Sequence, residues 1–584
     1  MPRTEIAVVR RASVRQSARR STHPGASQPV LRRAPLAGLI ALLLTPALAS
    51  AQAIVPTPGS IGAPVGLTAI GVGNVGASAQ PNSIYFGLRN SLLYSDNLNL
   101  QPSGQQVRGM MLQVSPYLNA NYTSQKLVAQ AYYSLNFVAR SNDGNISNKN
   151  NTYQNLGASA NWKVNEDHFH ILAAANLLTT NTNPFLASSY TPGVQAYNVS
   201  QYSDLSLAPT LFGRIDGDGR WNTRYIARYV DPGGNISSSV SQTVMGDVRS
   251  DFSRRSLGLS AKANYYNIDY DNGFGYHGGD TDFLAWLLPT PTFRIGVGAG
   301  YAQSDVLYNK DGANSGWGPA ASVEWVPDDR TSLRVFWANR YFGNTGTAQA
   351  RHVASNWTFG LNYYNGVTNG NNPYAGAGYG GYGGYSAYGA ASGAMMGTQT
   401  GATGTTPGGS LFTNPVAQGL ADRNLLFGST ANNSVTSGLF GTNPGYGANY
   451  LNSPVLYVDN LTASVGYLGT RVGVLATAFM NKQSTAVPFI GGSVNDLDQY
   501  GGSVGVSYQL DSVSSLNAGY RQTNSDSNSS KSFARLNQLL ASWDYRFTPR
   551  AVWSVGARLQ HQSGTGTTVQ YDEAALFTYI DFRF

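Results

Sequence analysis

From Ile84 onward the chain repeats one unit, a run of roughly ten residues in which apolar and polar positions alternate, as a membrane-crossing strand needs, followed by a turn. Phe293, Ile295, Val297, Ala299 and Tyr301 alternate with Arg294, Gly296, Gly298 and Gly300. Ala551, Trp553, Val555, Ala557 and Leu559 alternate with Ser554, Gly556, Arg558 and Gln560, and Leu516, Ala518 and Tyr520 with Asn517, Gly519 and Arg521. Leu333, Val335, Trp337 and Tyr341 oppose Arg334, Phe336, Ala338 and Arg340 less cleanly. A period of two makes these strands with two distinct faces. Strands of a soluble sandwich also alternate, but they usually run for about five or six residues. Lipid outside and water inside account for longer strands with one apolar and one polar face. The expected fold is all-β: a transmembrane antiparallel β-barrel of about 20 strands, in the range of roughly 18–22. Trp221 and Tyr229, at strand ends, are expected in interfacial girdles.

The turns alternate in length. Short ones at 123–126, 165–168, 327–330, 468–471 and 548–550 are expected at the periplasmic end, and longer polar ones at 142–151, 180–197 and 563–569 outside. Regularity fails between Tyr363 and Val455, a stretch that contains a Gly/Tyr-rich run from Tyr374 to Tyr385. If Trp357–Tyr364 descends to the periplasm, as the turn at Pro327 requires, then Asp459–Tyr467, which also descends, must be entered from outside. On that reading the 364–455 segment crosses the membrane once more, as an irregular strand or as a plug in the lumen. Irregular backbone at that depth is tolerated only in a water-filled cavity or buried in protein. A surface loop of low complexity is the other reading.

Ahead of the strands lie two further segments. Arg32 and Arg33 precede an apolar run from Leu36 to Leu44, a Thr-Pro break and the small residues Ala47 to Ala53. This is the order of a cleavable secretory signal, with an apolar core too short for a membrane anchor. Residues 1–51 are therefore expected to be a basic extension plus signal peptide cleaved near Ala51, residues 52–82 a flexible Gly/Pro/Ala/Ser-rich tail, and residues 83–584 the barrel. The same segment explains the charge. Eight of the 38 Lys+Arg precede residue 34, against one acid, Glu5, so the formal net charge of +8 falls to 30 basic against 29 acidic residues without it. A near-neutral mature chain has no electrostatic footprint for nucleic acid. There are no cysteines, which excludes disulfides, thiolate metal sites and cysteine nucleophiles.

At the carboxyl end Leu576, Thr578, Ile580, Phe582 and Phe584 form an apolar row interrupted once. A last strand with Leu576, Ile580, Phe582 and a terminal Phe584 resembles the sorting signal that outer-membrane proteins present to the barrel-assembly machinery.

No catalytic, cofactor or metal site is expected. Gly501-Gly502-Ser503-Val504-Gly505 matches G-x-S-x-G, but that elbow works only between a strand and a helix, and here it lies inside a strand pattern. Glu166, His168 and His170 sit at a short turn without a further ligand. Asn267, Asp269 and Asp271 lack the Gly and Glu of a calcium loop at the required positions. The lumen is the remaining place for chemistry. Arg89, Arg224, Arg294, Arg334, Arg340, Arg521, Arg558 and Arg583 fall opposite the apolar face, with Glu324, Asp544 and Asp581 as candidate inward acids. Rings of arginine facing water bias a pore toward anions; the alternative is that they pair with inward acids and brace the wall.

Tyr94-Ser-Asp-Asn-Leu-Asn-Leu100, followed by Val114-Ser-Pro-Tyr-Leu118, resembles the start of a family of outer-membrane β-barrel proteins found beside exopolysaccharide and exosortase (PEP-CTERM) loci. The likeness spans residues 84–584. It implies a channel in the Gram-negative outer membrane that takes part in exopolysaccharide export, with exopolysaccharide and periplasmic export components as partners and no catalytic residues. A general or anion-leaning porin for small solutes is the alternative, and an outer-membrane hydrolase a more distant one.

Overall fold

The computed structural model describes residues 83–584 apart from 142–149, 166–167, 182–184, 188–198, 216–218, 232, 234–236, 251–255, 308–311, 329, 370–454, 470, 486–495 and 549. The expected signal peptide and tail lie outside the described residues.

Twenty-two antiparallel strands form one closed sheet. Each pairs with its neighbour in the chain, and β22 (Tyr571–Arg583) pairs with β1 (Ser83–Ser95), with Arg89 opposite Asp581 and Leu93 opposite Phe577. Closure leaves no open edge, which is the condition for β-structure in a hydrocarbon medium where unpaired backbone groups find no water. The number stands at the upper end of the expected range. The strands are also longer than the roughly ten residues that a tilted crossing needs: they run from 10 residues in β13 (Thr331–Arg340) to 17 in β6 (Val199–Ile215) and β20 (Ser532–Thr548). Connections from even to odd strands hold two to six residues, whereas those from odd to even strands reach 17 at 182–198 and 85 at 370–454. In outer-membrane barrels the short turns lie at the periplasmic end and the long loops outside, which orients the chain. A short turn fixes register locally. In the 510–513 turn the Asp511 carboxylate accepts the N–H groups of Val513 (2.8 Å) and Ser514 (2.7 Å), which holds it below the usual carboxylate range.

The two faces are inverted relative to a soluble protein. Val297, Trp317, Leu559 and Leu576 are 51–65% exposed, whereas Asp282, Arg340, Arg521 and Glu573 are at most 5% exposed. The inner row can be followed strand by strand: Arg294 of β11 (Phe293–Ser304) faces Glu324 of β12 (Ser315–Asp328), which faces Arg334 of β13. Apolar outside and polar inside is the arrangement of a membrane-spanning barrel, because only lipid makes large exposed apolar residues favourable. Toward the periplasmic end the outer face carries aromatic contacts, Trp543 with Trp553 at 5.6 Å and Trp357 with Tyr467 at 4.8 Å. Trp221 lies toward that end and Tyr229, on the outer face, toward the other. Rings with one apolar and one polar edge suit both lipid–water boundaries.

One expectation is corrected. The extra crossing by the 364–455 segment rested on Trp357–Tyr364 descending, but Gly343–Ala354 is itself a strand, β14, joined to β13 by only Tyr341 and Phe342. Consequently β15 (Trp357–Asn369) ascends and β16 (Val455–Leu468) descends, paired from Trp357 opposite Tyr467 to Asn369 opposite Val455. Both ends of 370–454 therefore leave from the outer rim. Whether any of it enters the lumen concerns residues outside those described. β14 escapes the pattern because its outer row is Gly346, Ala348 and Ala350, too small to mark an apolar face.

Candidate functional site: the lined interior

The inner face of the closed sheet is where polar chemistry collects. All eight arginines expected to face inward lie on this row, and the acids that meet them differ in number from the expectation. Arg340 reaches Asp282 at 2.6 Å and Asp280 at 3.5 Å, both on β10 (Gly275–Thr290). It crosses β12 and β11 to do so, passing over Gly300. A Cβ on Gly300 would overlap both the guanidinium of Arg340 and the carboxylate of Asp282. Glycine at position 300 is thus what lets this pair form.

Similar pairs recur around the wall. Arg558 meets Glu573 at 2.8 Å, and Ser95 donates to the same carboxylate oxygen at 2.9 Å. Arg89 meets Asp581 at 3.2 Å over the Tyr579 ring at 5.0 Å, and Tyr117 donates to Asp581 at 2.8 Å. Arg294 meets Glu324 at 3.3 Å, with Arg249 at 4.0 Å from it. Arg334 stands opposite Glu324 in register. Arg224 donates to Thr210 at 2.9 Å, Arg521 is buried opposite Ser503 and Gln538, and Arg583 lies 5.9 Å from the Tyr85 ring. Asp544 accepts from Asn517. Arg228, which the strand pattern did not single out, forms a two-point pair with Asp204 through Nε and Nη2, each at 2.7 Å.

Among the described residues the buried charges balance: Arg140, Arg224, Arg228, Arg340, Arg521 and Arg558 against Asp204, Asp280, Asp282, Glu324, Glu573 and Asp581. Charge pairs of this kind tie neighbouring strands together, but inner-row cations beyond that tally, Arg89, Arg249, Arg294, Arg334 and Arg583 among them, leave the row with an excess of positive charge, so bracing pairs and a cationic wall coexist. Four of the acids, Asp204, Asp280, Asp282 and Glu573, were missing from the sequence-based set. For Asp204, Asp280 and Asp282 the signal was an acid at an inner-row position of a strand whose alternation was not traced, and Glu573 lies just ahead of the traced row Leu576–Phe584.

Between the pairs the wall is neutral and hydrogen-bonding. Ser503 and Thr477 share a 2.7 Å bond, Ser507 donates to Asn517 at 2.8 Å, and Gln499 donates to Ser525 at 3.0 Å. Ser503 sits mid-strand in β18 (Asp496–Gln509), so the strand-to-helix geometry of a nucleophile elbow is not formed. His170 packs on Phe212 at 4.7 Å on the inner row, and His168 Nδ1 is 3.4 Å from the Phe212 carbonyl oxygen. Asn267 donates to Asp269 at 3.1 Å, and no group of three metal-ligating side chains occurs among the described residues. The carboxyl-terminal row is on the outer face, with Leu576 61%, Phe582 38% and Phe584 70% exposed and Ile580 half-buried.

Two outer connections turn inward, which local pattern reading did not anticipate. In the connection Asp96–Arg108 between β1 and β2 (Gly109–Thr123), Asn97 is fully buried. Its side chain donates to the carbonyls of Gln101 and Asp572, both at 2.8 Å, and accepts from the Gln101 N–H at 2.8 Å. Leu98 and Leu100 are 0% exposed, and Leu100 adopts a left-handed φ of 53°, a conformation unfavourable for a branched side chain. Both belong to one buried cluster with inner-row residues Met111, Leu536 and Leu540. In the connection between β5 (Phe169–Asn181) and β6, Phe185 is 0% exposed in a cluster with Leu497 and Ala534, and Gln562 donates to the Leu186 carbonyl at 3.2 Å.

No protein-family model matches the chain, and no curated protein matches it. Solved structures with similarity include the siderophore receptor PirA from Acinetobacter baumannii, at 9% identity and a TM-score of 0.41 over 86% of this chain and 80% of that one. A ferric enterobactin receptor (PfeA) mutant from Pseudomonas aeruginosa aligns at 10% identity and a TM-score of 0.40, over 85% and 80%. The copper transporter OprC aligns at 11% identity and a TM-score of 0.34, over 86% and 81%.

Proposed function

We propose that the chain is an outer-membrane channel that takes part in moving exopolysaccharide across the Gram-negative outer membrane. The observation that carries this reading is the inner row, which between its charged residues is built of hydroxyl and amide side chains such as Ser503, Thr477, Gln499 and Gln538. Such groups exchange hydrogen bonds with sugar hydroxyls one for one, at little net cost, and select weakly by charge. The family resemblance of Tyr94–Leu100 points the same way, and it adds periplasmic export components as partners. The outward row Leu576, Ile580, Phe582 and Phe584 is the segment the barrel-assembly machinery would read.

The test is extracellular polymer in a strain deleted for the gene, with and without complementation by the full-length chain. A loss restored by complementation, with the outer membrane intact, is expected. Unchanged polymer would overturn the export reading and leave a porin for small solutes.

A further inference from the structure

A barrel of this strand number, left open, would enclose a wide lumen. We infer that the inward-turned Asp96–Arg108 connection, together with Phe185, Leu186 and Ala187, forms the constriction that sets the size of what the channel passes. The constriction presupposes the proposed channel and adds the element that determines its cut-off.

Three observations converge on it. First, part of the inner wall is apolar where an open pore would be wet: Leu93, Leu536, Leu540, Tyr571 and Phe577 all lie on the inner row and are at most 9% exposed. Leu98, Leu100 and Ala187 belong to the same cluster, so the two connections cover the patch. Second, the β5–β6 connection reaches across the interior. Leu98 and Leu100 share a buried cluster with Leu536 and Leu540 of β20, three strands from β1, while Phe185, which departs from the β5–β6 end, clusters with Leu497 of β18 and Ala534 of β20. In the closed strand order β5 and β18 are far apart on either path, so the chain must span the bore. Third, the inward turn is built to stay. Asp96 N–H donates to the Ala574 carbonyl at 3.1 Å, its carboxylate accepts from the Ala574 N–H at 2.8 Å, and Leu98 N–H donates to the Val107 carbonyl at 2.8 Å. On the other connection Val569 N–H donates to the Phe185 carbonyl at 2.9 Å.

The stretch Tyr94–Leu100 thereby acquires a physical role. Asn97 closes the turn, and Leu98 and Leu100 supply the apolar anchors.

The test uses the full chain, purified and reconstituted in planar bilayers, with neutral polyethylene glycols of graded size as blocking probes. Three variants are compared with the parent: Phe185→Ala, the pair Leu98→Ser and Leu100→Ser, and replacement of residues 96–108 by Asn-Gly. That dipeptide forms a tight two-residue hairpin, and Ser95 already stands opposite Gly109 in register. Heat-modifiable electrophoretic mobility shows which variants form a folded barrel, and Phe185→Ala, which leaves the wall intact, is the mildest. Conductance is expected to rise about twofold or more in the folded variants, with entry of larger glycols. Equal conductance and equal cut-off in the parent and every folded variant would overturn the constriction while leaving a channel in place. Absence of conductance in the parent and all folded variants would overturn the channel reading itself, and the constriction with it.

Discussion

Exchanging Leu539 for arginine is expected to destabilise the folded barrel by about 2–4 kcal/mol in phospholipid vesicles. Leu539 lies at the middle of β20, 45% exposed, between Tyr520 and Leu559 in register. In a soluble protein a leucine this exposed could become arginine at a change within roughly 0.5 kcal/mol, since nothing is buried or unpaired by the exchange. In a barrel the same face meets hydrocarbon, and the guanidinium must be dehydrated or drag water inward. Depth supplies the control. Ser563, on the same face opposite Arg535 toward the outer rim, should accept arginine at about 0–1 kcal/mol. Denaturant unfolding followed by tryptophan fluorescence measures both. Two near-zero values would mean that the exposed apolar row does not face lipid.

That row was legible in the sequence because its cause is local. Phe293 to Tyr301 and Ala551 to Leu559 alternate by themselves, and a period of two needs no knowledge of neighbouring strands. The eight inward arginines follow from the same reasoning, since a residue opposite an apolar face must point the other way. Reading by apolar stripe fails where the outer face is small, as at Gly346, Ala348 and Ala350 of β14, and one unseen strand was enough to invert the predicted direction of β15 and to demand a further crossing that the pairing of β15 with β16 does not require. The partners of the arginines were out of reach for a different reason. Asp282 meets Arg340 only because three hairpins bring β10 and β13 close on a concave face with Gly300 between them. No window along the chain contains that arrangement. The inward turn of Asp96–Arg108 is intermediate: Leu98 and Leu100 in a polar connection are a visible anomaly, and their destination on Leu536 and Leu540 is not.

The largest single effect is expected at Arg340. Replacement by methionine leaves Asp280 and Asp282 buried without the guanidinium that faces them. Breaking a buried ion pair from one side costs roughly 3–5 kcal/mol, because a dehydrated charge is left uncompensated. Lys262, opposite Asp282 on β9 (Leu257–Tyr270), can recover part of this if its ammonium swings toward the pair. Removing the charges together, with Asp280→Asn and Asp282→Asn added to Arg340→Met, should return most of the loss, since a cluster of similar volume without charge is often as stable as the paired one. Gly300→Val, which leaves every charge in place but fills the gap that Arg340 crosses, should approach the single-variant value. Unfolding of the four proteins in one lipid separates two pictures of the interior. A large loss with rescue means that this part of the wall is dry and held by the pair. A loss below about 1 kcal/mol, the range of solvent-exposed pairs, would mean that water reaches Asp280 and Asp282, and that the lumen is open at this level despite the loops folded in above it.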